Sequence, residues 1–357
     1  MIKHYILLVS LILFFRCGLN SQTVKNYYEY INQAEQYYYS NNLEKALFSY
    51  QQAFNIKGAP NFATDIFNFG YLCLSKGLFD NAYKAFKDVI SLGYSCYQFK
   101  ERKDSVFQAF FKTSLGIKLL KECDTISLNK NIDRKLRERI YNLVKMDQKF
   151  RLLKNGHTTF RDSIIKYDHI IVDSLLQIFK ECDGIPSEKI IGIDSIAINN
   201  PIYFILIFHQ SEGMFSWKFD YTNYILKAVE NGSLNHRVAA HLLEKANSKF
   251  DLGEQNFVVI EYDSVGISTN LNEDSYLNLP KDKYCVGFAS KSDSTIFEIN
   301  RRRSTLYLPS LEHQTKVVEA HVLKKNTNLP LFFFVVSHYR ISTKKEFDHW
   351  CSQIIKQ

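Results

Sequence analysis

The sequence predicts a mainly α-helical protein. A short helical repeat leads into a helical domain with a small β part near the C-terminus. Three observations predict this. Ala34 aligns with Gly70, Ala46 with Ala82 and Tyr50 with Phe86, a constant offset of 36 residues. Between residues 132 and 246 apolar positions recur at three-and-four spacing, the period of a helix with one buried stripe. Runs with the look of strands come late, at 257–262, 284–288 and 331–337. Composition agrees with a folded chain. With 46% hydrophobic and 23% charged residues, and only 14 Gly and 6 Pro, disorder and collagen-like classes are excluded. A length of 357 residues suits roughly two domains.

The first 21 residues read as a secretory signal. Lys3 and His4 form a basic start, and Ile6 to Phe15 an apolar run too short to span a bilayer core of ~30 Å. Ser21 suits cleavage before Gln22. Cys17 offers lipidation as an alternative, but Arg16 stands before it where a small residue is wanted. The expectation is an exported, periplasmic or extracellular protein, held to a membrane only if Cys17 is lipidated.

Residues 22–125 are expected to form the repeat. Small residues (Ala34, Gly70, Ala46, Ala82) fall where two helices approach closely, and aromatics (Tyr50, Phe86) where they fill the gap between helix pairs. Asn41-Asn42-Leu43 and Lys76-Gly77-Leu78 supply the turns. This pattern resembles the tetratricopeptide repeat, except that the closing Pro is late at Pro60 in the first copy and replaced by Gly93 in the second. Two copies are few for a solenoid, so Phe107 to Leu120 is expected to cap the stack as one further helix. The resemblance implies a surface for a protein or peptide partner. The dense tyrosines Tyr27, Tyr28, Tyr30, Tyr37, Tyr38 and Tyr39 suit such a surface and equally suit helix cores. The alternative is a packing platform for the second half.

Residues 130–313 are expected to form the second domain. A helix over Ile132–Leu153, capped by Asn131 or Asp133, buries Ile132, Leu136, Ile140, Leu143 and Val144. Continuing that stripe lands on Asp147 and Arg151, an acid and a base four apart on an inward face. They form a structural clamp or part of a site. Further helices are expected at 170–179, after Pro201 through 208, at 221–229 and at 236–246. Cys182-Asp183-Gly184 is a stop. Asp147-Gln148-x-x-Arg151, Asp173, Gly184-x-Pro186, Gly192, His209, Ala228-Val229-x-x-Gly232, Gly253-x-Gln255-x-Phe257 and Asn300-Arg301-Arg302-Arg303 follow in order. That order resembles an uncharacterised bacterial domain family over about residues 143–312. The resemblance implies fold and compartment, and marks Asp147, Arg151, His209, Gln255, Asn300 and Arg302 as the residues of a small polar pocket. Val258-Val259 and Glu244-Lys245 depart from the family's pattern. Residues 314–357 are expected to add a strand and a closing helix over 343–355, with Phe347, Trp350, Cys351 and Ile354 inward.

No HExxH, P-loop, GxGxxG or GxSxG set is present, so no metal or cofactor is expected. His209 is the candidate acid–base. Six cysteines outside the signal are dispersed without a CxxC, and single buried thiols are expected for most. The net charge is +8, and residues 100–161 hold 16 basic and 7 acidic residues. Lys outnumbers Arg 33 to 12, which argues against base reading, so no nucleic-acid partner is expected. The functional expectation is an exported envelope protein that binds or assembles with a protein or peptide. Alternatives are a hydrolase using His209 on an envelope or extracellular substrate, and a purely structural domain.

Overall fold

The structure is a computed structural model. It describes residues 2–357 apart from 127, 154–158, 195–197, 199–200, 213–217, 247–250, 253–256, 263–283, 290–292, 317–336, 342–343, 346–347, 349–350, 352–353 and 356–357. For residues 2–20, Asp293 and the strand residues 257–262, 284–289, 337–341 and 354–355 only the backbone is described.

The chain is mainly helical. Helix α1 spans Ile2–Tyr39 and α2 Leu43–Asn55; α3 spans Ala63–Ser75 and α4 Phe79–Ser91. Each pair is joined by a left-handed residue, Asn41 at φ 61° and Gly77 at φ 71°. Such a residue reverses the chain in two or three residues, as Asn and Gly readily do. The helices pack as helical repeats do. Ala34, Ala46, Tyr50, Ala82 and Phe86 are fully buried. A Cβ on Gly70 would lie 3.0 Å from two Phe86 ring carbons, which is why the position is small.

Beyond the repeat come α5 (Cys96–Lys100), α6 (Ser105–Phe111) and α7 (Ser114–Glu122). The single capping helix expected over 107–120 is therefore two. Thr113 breaks it, accepting from the Gly116 amide at 3.0 Å and so starting α7. Gly116 lets the two helices nearly touch, since a Cβ there would sit 2.0 Å from the Phe110 carbonyl oxygen. Phe67, Phe86, Phe99, Phe107 and Phe110 fill the space below with ring-to-ring contacts of 5.0–6.2 Å.

The second half begins with α8 (Arg134–Arg151), capped by Asp133, whose carboxylate accepts from the Leu136 amide at 2.9 Å. It lies against α9 (Arg161–Glu181). Asp183 at φ 53° and Gly184 at φ 132° then turn the chain. Helices α10 (Glu188–Ile191), α11 (Phe204–Glu212), α12 (Thr222–Glu230) and α13 (His236–Ala246) follow. Together they bury Ile140, Leu143, Ile171, Leu175, Leu206, Ile225 and Leu242 in one core. Helix α14 (Asp293–Thr305) closes the body. Its Arg303 is fully buried and donates to the Pro309 and Leu252 carbonyls at 2.6 and 2.7 Å.

Strand backbone runs over β1 (Phe257–Tyr262), β2 (Tyr284–Ala289), β3 (Ser337–Ile341) and β4 (Ile354–Ile355), in the order β3-β1-β2-β4. Ile354 thus lies in extended backbone rather than in the closing helix expected over 343–355. Phe347, Trp350 and most of the run 331–337 lie outside the described residues.

The two halves meet along a buried polar seam built from the first helix of each repeat. Tyr28 stacks on His236 of α13, with centroids 3.9 Å apart, and its hydroxyl accepts from the His236 amide at 3.1 Å. Glu35 pairs with Arg237. The first turn of α3 has no side-chain cap of its own. Glu188 of α10 supplies one from the other half, accepting from the Ala63 amide at 2.9 Å. Lys189 donates to the Ala59 carbonyl at 2.6 Å. Asp65 accepts from the Tyr27 hydroxyl at 2.5 Å. Of the two roles open to the tyrosines, Tyr27, Tyr28 and Tyr39 take that of buried core residues, while Tyr30, Tyr37 and Tyr38 are half-buried.

The cysteines depart from expectation. Cys96 and Cys123 form a disulfide, and Cys351 is disulfide-bonded as well. Cys73 and Cys182 are free thiols. Cys96 and Cys123 come together because α5 and the end of α7 pack side by side, an arrangement that sequence spacing does not reveal.

Candidate functional site

Three helices position the polar cluster of the second half. Asp147 and Arg151 lie one turn apart on the inward face of α8, because the stripe of Leu136, Ile140 and Leu143 runs on into them. Arg151 Nη1 donates to Asp147 Oδ1 at 2.5 Å. Its Nη2 reaches both carboxylate oxygens of Asp168 on α9 at 2.8 Å. Asp147 Oδ2 accepts from the Gln148 carboxamide at 2.6 Å and lies 2.7 Å from His209 Nδ1 on α11. Asp147, Arg151 and Asp168 are buried; the His209 side chain keeps 15% of its surface exposed.

Electrostatics follow from that burial. One guanidinium serves two carboxylates, so the cluster is one positive charge short when His209 is neutral. Removal from water raises the Asp168 carboxyl, and the Arg151 hydrogen bonds oppose the rise. A protonated His209 would balance the second carboxylate. A neutral one donates its Nδ1 proton to Asp147, which fixes the tautomer and leaves the lone pair on Nε2. Arg151 Nε is buried without a hydrogen-bond partner among the described residues. Asp147 therefore orients His209, and Arg151 with Asp168 holds Asp147.

The predicted residues do not all converge. Asp147, Arg151 and His209 come together. Asn300 binds elsewhere: its side chain donates to the Glu312 carboxylate at 3.1 and 3.2 Å and accepts from the Leu311 amide at 2.8 Å. It thereby secures the start of the helical stretch at Leu311. Arg302 donates to the Asp251 carbonyl at 2.9 Å. Gln255 lies outside the described residues. His209 sits within α11, with Gln210, Ser211 and Glu212 still helical after it.

Asp168 was missed, although a signal existed. It interrupts the α9 stripe of Ile164, Ile171, Val172, Leu175 and Ile178 in the way Asp147 interrupts that of α8. Asp173, on the opposite face of α9, is exposed. His241 is stacked on Phe208, with centroids 5.7 Å apart, and burial lowers its pKa. Among the described residues the closest set of metal-ligating types is Cys96, Cys123 and Asp124, whose two sulfurs are bonded to each other.

The chain matches no known protein-family model, no curated protein and no solved structure. The two likenesses drawn from the sequence therefore rest on its residues and on the helical packing alone.

Proposed function

We propose that this is an exported protein of the cell envelope that works through the polar site of its second half. His209 is the acid–base or ligand-contacting group, and the repeat half is its scaffold. The reading that fits is a hydrolase acting on an envelope or extracellular substrate. The observation that carries it is the 2.7 Å contact between His209 Nδ1 and the buried Asp147 carboxylate, which orients the ring. The disulfide between Cys96 and Cys123 supports export, because such bonds persist in oxidising compartments. The tetratricopeptide likeness, the likeness to the uncharacterised domain family and a small β part formed by β1–β4 belong to the same proposal.

A second reading has the repeat bind or assemble with a protein. Exposed Phe48 on α2 and Tyr97 on α5 favour it. The inner face is taken by the chain's own His236, Arg237 and Glu188, so a partner would use the outer one.

Melting of the full chain and of His209→Gln, against saccharide, peptide and cell-wall fragment panels, tests the proposal. A ligand at about 100 times its dissociation constant stabilises by ~2.7 kcal/mol. A shift seen in the parent and lost in His209→Gln supports the site. A shift of equal size in both, or none across the panels, removes it.

A further inference from the structure

Each of the three helices around His209 has a buried stripe that polar side chains interrupt. Asp147 and Arg151 interrupt that of α8, and Asp168 that of α9. Gln210 does the same on α11. It stands one turn after the buried Leu206 and keeps 1% of its surface. A carboxamide so deep in an apolar core needs partners, because its two donors and its acceptor have left water.

The surroundings of Gln210 lead back to the polar cluster. Its backbone carbonyl accepts from the Phe219 amide at 2.9 Å, and its Oε1 from the Tyr221 hydroxyl at 3.5 Å. Nε2 makes no hydrogen bond of ordinary geometry among the described residues. The side chain nevertheless favours the charged form of Asp168, against the burial that raises that carboxyl. A donor that no other acceptor claims thus lies beside the carboxylate that holds Arg151. With it the cluster closes on itself. It leaves α11 at His209, passes through Asp147 and Arg151 on α8 and Asp168 on α9, and returns to α11 at the next residue. The three helices pack pairwise against one another. Gln148 mirrors this arrangement on the other acid, donating to Asp147 Oδ2 at 2.6 Å. Each carboxylate has one neutral amide, and the two share one guanidinium.

The state of Asp168 decides how Arg151 is held. As a carboxylate it accepts from Nη2 with both oxygens. Once protonated, one of those oxygens carries a donor and the bidentate pair is lost. Arg151 could then turn from Asp147, the residue that orients His209. Burial drives Asp168 toward that proton, and Gln210 opposes it without adding charge. A lysine at this position would also favour the carboxylate, but it would fill the charge gap that His209 faces.

We propose that Gln210 is a positioning residue of the site, holding the Asp168 carboxylate on Arg151 and so, through Arg151 and Asp147, fixing the imidazole of His209. The inference rests on the reading of His209 as the working group. Its readout needs neither ligand nor activity, so the two can fail separately.

The test is NMR of the full chain as parent, Gln210→Met, Asp168→Asn and the double variant. Met keeps the length of the side chain and removes the donor. Two quantities are read: exchange of the His209 Nδ1 proton with water, and titration of the Asp168 side-chain carboxyl. Gln210→Met is expected to speed the exchange by about tenfold or more, the factor that corresponds to one hydrogen bond to a charged group. It is also expected to move the Asp168 titration to higher pH. Added to Asp168→Asn, the same substitution changes the exchange no further. An unchanged exchange rate in Gln210→Met overturns the proposal even where the melting temperature falls, because a residue that only fills the core lowers stability and leaves that proton alone. Full additivity of the two substitutions overturns it as well, since Gln210 would then act by another route. Gln210→Glu covers the case in which Gln210→Met does not fold. Its ionised carboxylate is expected to repel Asp168 and to speed the exchange at pH 8 relative to the parent, and parent-like exchange there overturns the proposal.

Discussion

Burial at the seam makes folding depend on pH in a direction that can be worked out. Asp65 and Glu188 are buried between the two halves, and burial is the leading cause that pushes each carboxyl up to about 7. For Asp65 the Tyr27 hydrogen bond and Arg237 oppose the rise while Glu35 adds to it, and for Glu188 the Ala63 amide opposes the rise while the Asp65 charge adds to it. The folded state therefore holds protons that the unfolded chain releases near pH 4. Their stabilisation is complete below that pH and is lost as pH rises through about 7. For Asp65 the rise from 3.8 to about 7 is roughly three units, or about 4 kcal/mol at ~1.4 kcal/mol per unit.

Buried histidines act in the opposite sense. His236 and His241 are lowered by burial, and His313 is lowered to about 4. Their contribution grows as pH rises to about 6.5 and is then constant. Above that pH the carboxyl effect stands alone. The perturbation is Asp65→Asn, which keeps an oxygen to accept from the Tyr27 hydroxyl. The assay is urea unfolding of parent and variant from pH 4.5 to 8.5. The variant is expected to gain on the parent by about 2–4 kcal/mol between pH 5 and 8, and the parent to lose stability from pH 6.5 to 8. A difference between the two that is flat across the range would refute the reasoning, as would a parent whose stability rises above pH 6.5.

Three further outcomes are expected. Asp147→Ala strips Arg151 and His209 of a buried partner and costs about 3–5 kcal/mol. By NMR it abolishes the slowly exchanging Nδ1–H signal of His209, which Asp147→Asn partly retains. Replacing Cys96 and Cys123 by Ser opens a disulfide spanning 27 residues and lowers unfolding stability by about 3–4 kcal/mol. Non-reducing peptide mapping checks the bond directly. Gly116→Ala forces α6 and α7 apart, because its Cβ would overlap the Phe110 carbonyl. Chemical denaturation is expected to show a loss of about 1–3 kcal/mol.

The sequence by itself determined the local features. The three-and-four stripes placed α8, α12, α13 and the second half of α9, since a helix that must bury one face repeats its apolar residues at that period. The recurring small residues and Asn41 and Gly77 placed the paired helices of the repeat. Asp147 and Arg151 were legible as partners because two charges on an apolar stripe must answer each other. Other local breaks were missed, as at Thr113, where a hydroxyl cap splits a continuous apolar run.

Tertiary structure decided everything that joins distant segments. Asp168 and His209 reach Asp147 only because α9 and α11 pack beside α8, and no spacing along the chain encodes that packing. Asn300 and Arg302 kept the polarity that singled them out, but the fold used it to secure Leu311 and Asp251. The tyrosines of α1 gave no sign of which face they would occupy. Whether they met water or His236 depended on the second half closing over the first helices of the repeat. A residue's own pattern fixes how it lies on its helix, whereas its partners depend on the other helices that pack against that face.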